Sequence, residues 1–360
     1  MSVKHAKKSR FVKFALAAGM LSAAVILFAA CGGGDAGGEE AATETADAEP
    51  ITLRLASDAP LEHIATGLNE GAAEKVKERT EGRVLIEYFP GSALGGYETV
   101  YEELVIGSID IAQITVPDAL DARLGSAYLP YYATSYEEAK ILYAPDSFMS
   151  KTFAELTAAN NVRFLGWVLE GFIGMGVVKD PTDVMTPGTP KGIQLRSPAM
   201  ATFRYVQEDL GYNPVTVPYA EVPTAIQTKV VDGWIGGTPN MNYAWVGEVI
   251  NKMYVNYMHA EATCYVMSEL SLSKLSEADR QTLIEVFEEQ SMQSFEDAQA
   301  NEELYKQKLQ DDYGVEVVEL TPEQLKVNAD FVRDVTWTRL EEILTPELIA
   351  GFREEVAKLQ

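Results

Sequence analysis

The chain has 360 residues, of which 47% are hydrophobic and 23% charged, so it is long enough for two ordinary domains. This composition excludes general disorder, a collagen-like repeat and a disulfide scaffold. The formal net charge of −25 argues against a nucleic-acid-binding protein, because a phosphate backbone requires a surface rich in Lys and Arg.

The first 30 residues have the pattern of an export signal. They contain five basic side chains and no acidic one, and an apolar run extends from Phe14 to Ala30. A basic start, an apolar stretch and small residues before a cleavage point are typical of a signal peptide. The run also reaches the lower length limit for a membrane-spanning helix, so a retained membrane anchor is the alternative interpretation.

The tetrapeptide Phe28–Cys31 resembles the lipobox of bacterial lipoproteins, although Phe28 stands where an aliphatic residue is usual. The resemblance implies that residues 1–30 are removed as a signal peptide and that Cys31 carries a lipid. Residues 31–50 are rich in Gly and acidic residues and lack aromatic ones, which predicts a flexible tether. Cys264 would then be the remaining thiol, and one thiol forms neither an intramolecular disulfide nor a thiolate metal site.

From residue 51 onward, strand and helix patterns alternate. Apolar residues recur with a period of two from Ile51 to Leu55, and then at helical spacing from Ile64 to Val76 and from Val100 to Val105. Further strands are predicted at Arg83–Phe89, Ile109–Val116, Val162–Leu169, Gly192–Ser197, Pro214–Pro218, Val230–Gly237 and Ala262–Met267. This alternation predicts an α/β fold, in which helices cover the faces of a sheet.

Residues 276–313 contain no Gly or Pro, which predicts a single helix of about 38 residues. Ser276 and Asp279 fit its start and Gly314 fits its end. A coiled coil is the alternative, but no heptad pattern persists, and a helix that bridges two lobes is favoured.

Signatures of catalysis and of metal binding are scarce. The chain has no His-Glu-x-x-His, Cys-x-x-Cys, Gly-x-Ser-x-Gly or P-loop sequence. Its three histidines, His5, His63 and His259, are far apart in sequence. We therefore expect no enzymatic activity, no cofactor and no bound metal.

The remaining signals indicate a binding cleft. Arg196 ends a predicted strand, and open α/β sheets bind ligands at the carboxyl ends of strands. Its planar guanidinium can hold a carboxylate with two hydrogen bonds and stays charged. A surface salt bridge is the alternative role for this residue.

Aromatic residues cluster in the following stretch, where core packing is the alternative to ligand binding: Tyr219, Trp234, Tyr243 and Trp245. Glycines on both sides of Trp234, among them Gly236, permit a ligand to approach the backbone closely, which makes Trp234 and Gly236 candidate binding residues.

Several sequence blocks, taken in order, resemble the substrate-binding subunit of tripartite ATP-independent periplasmic (TRAP) transporters. The similarity extends from Ile51 to about Tyr313 and depends on the order and spacing of the blocks. They are FPGSALGG at Phe89–Gly96, ELVIGSIDIA at Glu103–Ala112, YLPYY at Tyr128–Tyr132, FLGW at Phe164–Trp167, KGIQLRSP at Lys191–Pro198 and AEVPTAIQTKVVDGW at Ala220–Trp234.

The resemblance implies a two-lobed fold like that of periplasmic binding proteins, with crossover strands, a central ligand cleft and a long bridging helix. Lobe I would comprise residues 51–170 and about 262–301, and lobe II about 171–261 and 302–360. Such a protein captures an organic acid and delivers it to an integral-membrane permease. It would work at the outer face of the cytoplasmic membrane, held there by the lipid on Cys31.

Five residues match positions in the family's cleft. Arg196 matches its carboxylate-binding arginine, and Tyr219 matches an aromatic residue that lines the pocket. Thr115 matches a polar pocket position, and Tyr97 and Asp58 match cleft positions on the first lobe.

The chain departs from the family pattern at other cleft positions. Ile235 and Gly236 stand where many members have a Glu and a ligand-binding Asn, and Asn240 is a candidate to replace that Asn. A second arginine that some members carry just after Gly171-Phe172 is absent. We therefore expect a less cationic and more apolar pocket, without the acidic residue at position 235 that some members use for a metal. A bulky or aromatic monoacid is the expected ligand, ahead of four-carbon dicarboxylates.

Three other classes of protein stay open on sequence alone. An exported α/β enzyme would require a nucleophile and a base, and no such pair is evident. A sensor input module would be followed by a membrane span and a signalling domain, and neither follows in this sequence. The binding lipoprotein of an ATP-driven uptake system would share the fold.

Overall fold

The computed structural model describes residues 49–359. The predicted signal peptide, Cys31 and nearly all of the tether lie outside the described residues. The strands are β1 Ile51–Ser57, β2 Val84–Phe89, β3 Ile111–Ile114, β4 Val162–Val177, β5 Gln194–Ser197, β6 Asn213–Thr216, β7 Gly233–Gly237, β8 Lys252–Ser268 and β9 Glu316–Glu319. The α-helices are α1 Ile64–Arg79, α2 Tyr97–Ile106, α3 Tyr136–Leu142, α4 Phe148–Ala158, α5 Ala201–Leu210, α6 Val222–Gln227, α7 Pro239–Met241, α8 Glu269–Leu272, α9 Glu277–Tyr313, α10 Pro322–Asp334, α11 Thr336–Leu344 and α12 Pro346–Ala357.

The strands form one mixed sheet in the order β2-β1-β3-β8-β4-β7-β5-β6, and β9 also pairs with β8. The pairs at the two ends of the order, β1 with β2 and β5 with β6, are parallel. The long central strands β4 and β8 are antiparallel to each other. The predicted α/β class is therefore confirmed.

Strands β4 and β8 cross from one half of the sheet to the other. At one end, β8 pairs with β3 through Cys264–Met267, and at the other it pairs with β9 through Lys252–Val255. The sequence predicted only the Val162–Leu169 part of β4, because beyond it the strand is buried on both faces and rich in Gly. Such a strand has no polar–apolar alternation to reveal it.

The pairing of β4 with β8 shifts register at three places along β4. Two of these shifts involve glycines with positive φ, Gly166 at +147° and Gly171 at +125°. Bulges of this kind bend a strand and redirect side chains. The shift between Leu169 and Gly171 leaves Glu170 without a partner residue on β8 and turns its side chain toward the middle of the molecule.

Helix α9 confirms the predicted long helix, with Ser276 capping its start and Gly314 ending it in the left-handed conformation. It packs along β4, where Ser291 Oγ donates to Trp167 O at 2.6 Å. Near its other end, Asp312 accepts from the Tyr243 hydroxyl at 2.8 Å. Helix α9 therefore packs on the sheet and spans both of its halves, as predicted.

The region after Gly314, for which sequence patterns predicted no elements, forms β9 and the helices α10 to α12. Phe352 of α12 packs edge-on against Tyr132 and Phe148, with ring centroids 5.2 and 5.1 Å away. The C-terminal helices therefore complete the largest hydrophobic core. No helix within residues 49–359 is both long and apolar enough to cross a membrane.

Candidate functional site

A cleft of about 660 Å³, part of it open to solvent, lies at the middle strands of the sheet. Residues of β3, β8, β4, β7 and β5 line it, together with residues that directly follow β1 and β3. Its lining of apolar side chains with a few convergent polar groups is typical of a small-molecule site. Six of the eight sequence-predicted binding residues line this cleft: Asp58, Tyr97, Thr115, Arg196, Tyr219 and Gly236.

The other two predicted residues, Trp234 and Asn240, are not among the lining residues. Trp234 is fully buried, and its Nε1 donates to Asn242 Oδ1 at 2.9 Å. A Cβ added to Gly237 would overlap the Trp234 ring, so this glycine makes room for the indole itself. Asn240 is also buried, and its Oδ1 accepts from Ile64 N at 3.3 Å. The geometry provides no ligand contact for either residue.

Arg196 is 3% exposed and forms no salt bridge within the described part of the chain, which excludes the surface salt-bridge alternative. Its Nε donates to Val217 O at 2.8 Å and its Nη1 to Ile235 O at 3.4 Å. These two carbonyls hold Nε and Nη1, whereas Nη2 donates no hydrogen bond within residues 49–359.

Burial lowers the pKa of Arg196 to about 10, and the nearby Tyr97, Tyr219, Glu98 and Glu261 oppose that shift. The group therefore stays cationic at neutral pH. A buried cation without a counterion is costly unless a ligand supplies the negative charge. Arg196 is the one Arg or Lys among the described residues that line the cleft.

Gly236 lies directly beside the guanidinium. Its φ of +121° favours glycine, and an added Cβ would come within 3.1 Å of Arg196 Nη1. A side chain at this position would press on Arg196. The glycine that replaces the family's usual Asn therefore leaves the guanidinium accessible.

The remaining predicted residues form the walls around Arg196. Tyr219 stacks on Trp245, with ring centroids 5.3 Å apart and planes 7° apart. The Thr115 and Tyr128 hydroxyls are 2.8 Å apart. Stacking and hydrogen bonding hold these side chains in place before any ligand arrives.

Asp58 lies where β1 ends and accepts hydrogen bonds from Ser92 Oγ and Tyr97 N, both at 3.1 Å. Burial raises its pKa to about 6, although these two hydrogen bonds favour the ionised form. Asp58 therefore carries most of a negative charge at neutral pH.

Sequence analysis missed a polar network on the floor of the cleft. Glu170 accepts from Gln113 Nε2 at 2.9 Å and from Thr263 Oγ1 at 2.7 Å, and its other oxygen lies 3.2 Å from His63 Nε2. Glu261 accepts from the Tyr128 hydroxyl at 2.8 Å. All six residues of this network are at least nine-tenths buried.

The sequence-based expectation of a pocket with few cationic groups did not include its carboxyl groups. The cleft has one Arg, as expected, but Asp58, Glu170 and Glu261 also line it. A signal for two of them was present in the sequence, because Glu170 and Glu261 interrupt the apolar runs VLEGFIG and HAEATC. An acid within an apolar strand is rarely buried unless it is paired.

Within residues 49–359, no three His, Cys, Asp or Glu side chains are placed to hold a metal ion. His63 belongs to the cleft floor through Glu170. His259 stacks on Phe203 with ring centroids 4.2 Å apart, and burial lowers its pKa to about 3, so it is neutral. The two histidines therefore have separate structural roles.

Two halves joined by crossing strands, with a buried and largely preformed cleft between their strand ends, define a two-lobed solute-binding protein. The sequence model of the bacterial extracellular solute-binding protein family 7 matches residues 56–337. The chain belongs to this family, whose members are receptors and not enzymes.

Individual proteins give the same result. The C4-dicarboxylate-binding periplasmic protein DctP of Vibrio cholerae is 25% identical over 295 residues, which cover 79% of this chain and 84% of the relative. A TRAP periplasmic solute-binding protein of Rhodoferax ferrireducens, solved with malonate, superposes with a TM-score of 0.77 at 20% identity, over 85% of this chain and 99% of that one. The sugar acid binding protein of Advenella mimigardefordensis, solved with galactonate, also superposes with a TM-score of 0.77. It is 19% identical, and the match covers 87% of this chain and 100% of that one. These two likenesses establish the fold.

Proposed function

We propose that this protein is the extracytoplasmic receptor of a TRAP transporter, which captures an organic acid in the cleft and presents it to a membrane permease. The observation that carries the proposal is Arg196, a buried guanidinium with no salt bridge among the described residues. Its Nη2 has no acceptor among residues 49–359, and Arg196 lines the cleft. The ligands of related receptors, malonate and galactonate, are also carboxylates.

The proposed ligand has one carboxylate at Arg196. No second Arg or Lys among the described residues lines the cleft to receive another anionic group. A dicarboxylate would place its second charge against Asp58, Glu170 or Glu261, where like charges repel. A monocarboxylate is therefore favoured over four-carbon dicarboxylates.

A thermal-shift screen with several hundred organic acids tests this function. A ligand at 100 times its dissociation constant stabilises the folded protein by about 2.7 kcal/mol, which gives a clear rise in Tm. Sugars and peptides without a carboxylate serve as controls. Stabilisation by the neutral compounds, with no response to any carboxylate, would refute the proposal.

The lipid anchor is a further part of this proposal, supported by the lipobox-like Phe28–Cys31 and the acidic, Gly-rich tether that follows. We expect the mature chain to begin at Cys31, to incorporate labelled fatty acid in cells and to fractionate with membranes. Cys31→Ala should abolish the label and release the protein from membranes, whereas Cys264→Ala, a change at a buried thiol, should leave both unchanged. Undiminished labelling of the Cys31→Ala protein would contradict the anchor.

A further inference from the structure

The cleft contains two buried polar groups that are only partly satisfied. Arg196 and Glu261 are 3% and 4% exposed, and both line the cleft. Within residues 49–359, Arg196 Nη2 donates no hydrogen bond and Glu261 Oε2 accepts none, although the other polar atoms of both side chains are engaged. Because both residues line the cleft, a ligand there is placed to supply the missing partner of each.

The two groups differ in what they require of a ligand. Arg196 Nη2 is a cationic donor and requires an acceptor such as a carboxylate. Glu261 Oε2 is a carboxyl oxygen, to which an amine or a hydroxyl can donate. A ligand that satisfies both therefore has an anionic end and a donor end.

The charge of the cleft decides which donor fits. Three carboxyl groups, Asp58, Glu170 and Glu261, line the cavity, against the guanidinium of Arg196 and the imidazole of His63. The ligand's carboxylate neutralises Arg196 and adds to the negative charge around the donor end. A hydroxyl would leave that charge uncompensated, whereas a protonated amine would offset it.

We propose that the ligand is a zwitterion, with its carboxylate on Arg196 and a protonated amine on Glu261. This inference rests on the proposed function and specifies the ligand class of the same cleft. The rest of the wall is apolar where Pro198, Met200 and Phe203 line it, which suits an amino acid with an apolar or aromatic side chain.

Binding of an amine at Glu261 should also change the protonation of this side chain. Burial raises its pKa well above the usual range, and the nearby Glu170 raises it further, while Tyr128 and Arg196 favour the ionised form. The carboxyl of Glu261 is therefore more easily protonated in the free protein than an ordinary glutamate. An arriving ammonium group favours the carboxylate, so the proton leaves to solvent and affinity rises with pH until Glu261 is already ionised without ligand.

Calorimetric titrations with matched acids test the inference. The probes are the proteinogenic α-amino acids and a series of ω-amino acids. Each amino acid is compared with the acid in which a hydroxyl replaces the amine and with the acid that carries neither group. Malonate and galactonate are tested as further acids. We expect at least one amino acid to bind about 10- to 100-fold more tightly than its hydroxy analogue, the ratio for a charge-assisted hydrogen bond. Titration in buffers of different ionisation enthalpy should show release of a proton.

Glu261→Gln keeps the shape of the side chain and an oxygen that can accept from Tyr128, but removes the charge. It should abolish both the preference for the amine and the proton release, while the unsubstituted acid binds as before. Glu87→Gln, a change of the same kind at an exposed position of β2, should alter neither.

The outcomes separate this inference from the proposed function. If hydroxy or unsubstituted acids bind and no amino acid binds more tightly, the zwitterion is refuted and the carboxylate receptor stands. If amino acids are preferred but Glu261→Gln changes neither preference nor proton release, the assignment of the amine to Glu261 is refuted. If no acid of any class binds, both proposals fail.

Discussion

Replacement of Arg196 by Ala should weaken binding of the cognate acid by about 10²–10⁴-fold, because each 1.4 kcal/mol is tenfold in affinity. Loss of the guanidinium would leave the ligand's carboxylate buried and unpaired, which costs about 3–5 kcal/mol. The fold should persist, because Arg196 contributes two hydrogen bonds to carbonyls, those of Val217 and Ile235, and no apolar packing across the core. Calorimetry with a ligand identified by the thermal-shift screen measures the effect.

Two further variants make this result interpretable. Arg196→Lys should recover only part of the affinity, because an ammonium group cannot reproduce the planar fork. Arg163→Ala is the control, because Arg163 is half-exposed and forms a surface salt bridge with Glu269 at 2.7 Å, whereas Arg196 is buried and forms no salt bridge among the described residues. That change should leave affinity unaltered. A folded Arg196→Ala protein that loses less than about fivefold in affinity would show that the carboxylate binds elsewhere.

Replacement of Trp234 by Ala should lower the free energy of unfolding by about 3–5 kcal/mol, as for other large aromatic side chains removed from a core. The indole is fully buried, and its removal also leaves Asn242 Oδ1 without its donor. Chemical denaturation followed by circular dichroism measures the loss.

Tyr219→Ala provides the comparison, because Tyr219 lines the cleft and is only partly buried. We expect it to reduce ligand affinity while it destabilises the protein less than Trp234→Ala does. A Trp234→Ala protein of unchanged stability but much lower affinity would restore Trp234 as a binding residue, contrary to its position in the structure.

The parts of the fold that depend on local periodicity were predictable from sequence. The first strand and helix, the third strand and the long helix α9 with its Ser276 cap all follow from residue spacing and end signals. The continuation of β4 beyond Leu169 was not predictable in this way, because a strand buried on both sides and interrupted by glycines has no alternating pattern.

The candidate site was predictable where a residue type and a strand end coincide. Arg196 was placed at a strand end, whereas Thr115 was matched to a pocket position of the family. Both line the cleft, and their contact with ligand stays a prediction. Glu170 was missed because its direction depends on a bulge, which is set by pairing with β8 and not by the neighbouring sequence. Trp234 was over-interpreted, because neighbouring glycines can serve a bulky side chain as well as a ligand.

The crossing of β4 and β8 limits how this protein can be divided. Strand β8 pairs with β3 in one half of the sheet and with β9 in the other. Strand β4 pairs with β8 along its length and with β7, and α9 packs along β4. Neither half could be excised without cutting hydrogen-bonded strands in their middle and exposing new sheet edges. Exchange of one lobe between relatives, as a recombination event would attempt, would disrupt the backbone pairing on which the other lobe depends. Point changes in the cleft wall, by contrast, can alter ligand contacts while this strand pairing stays intact.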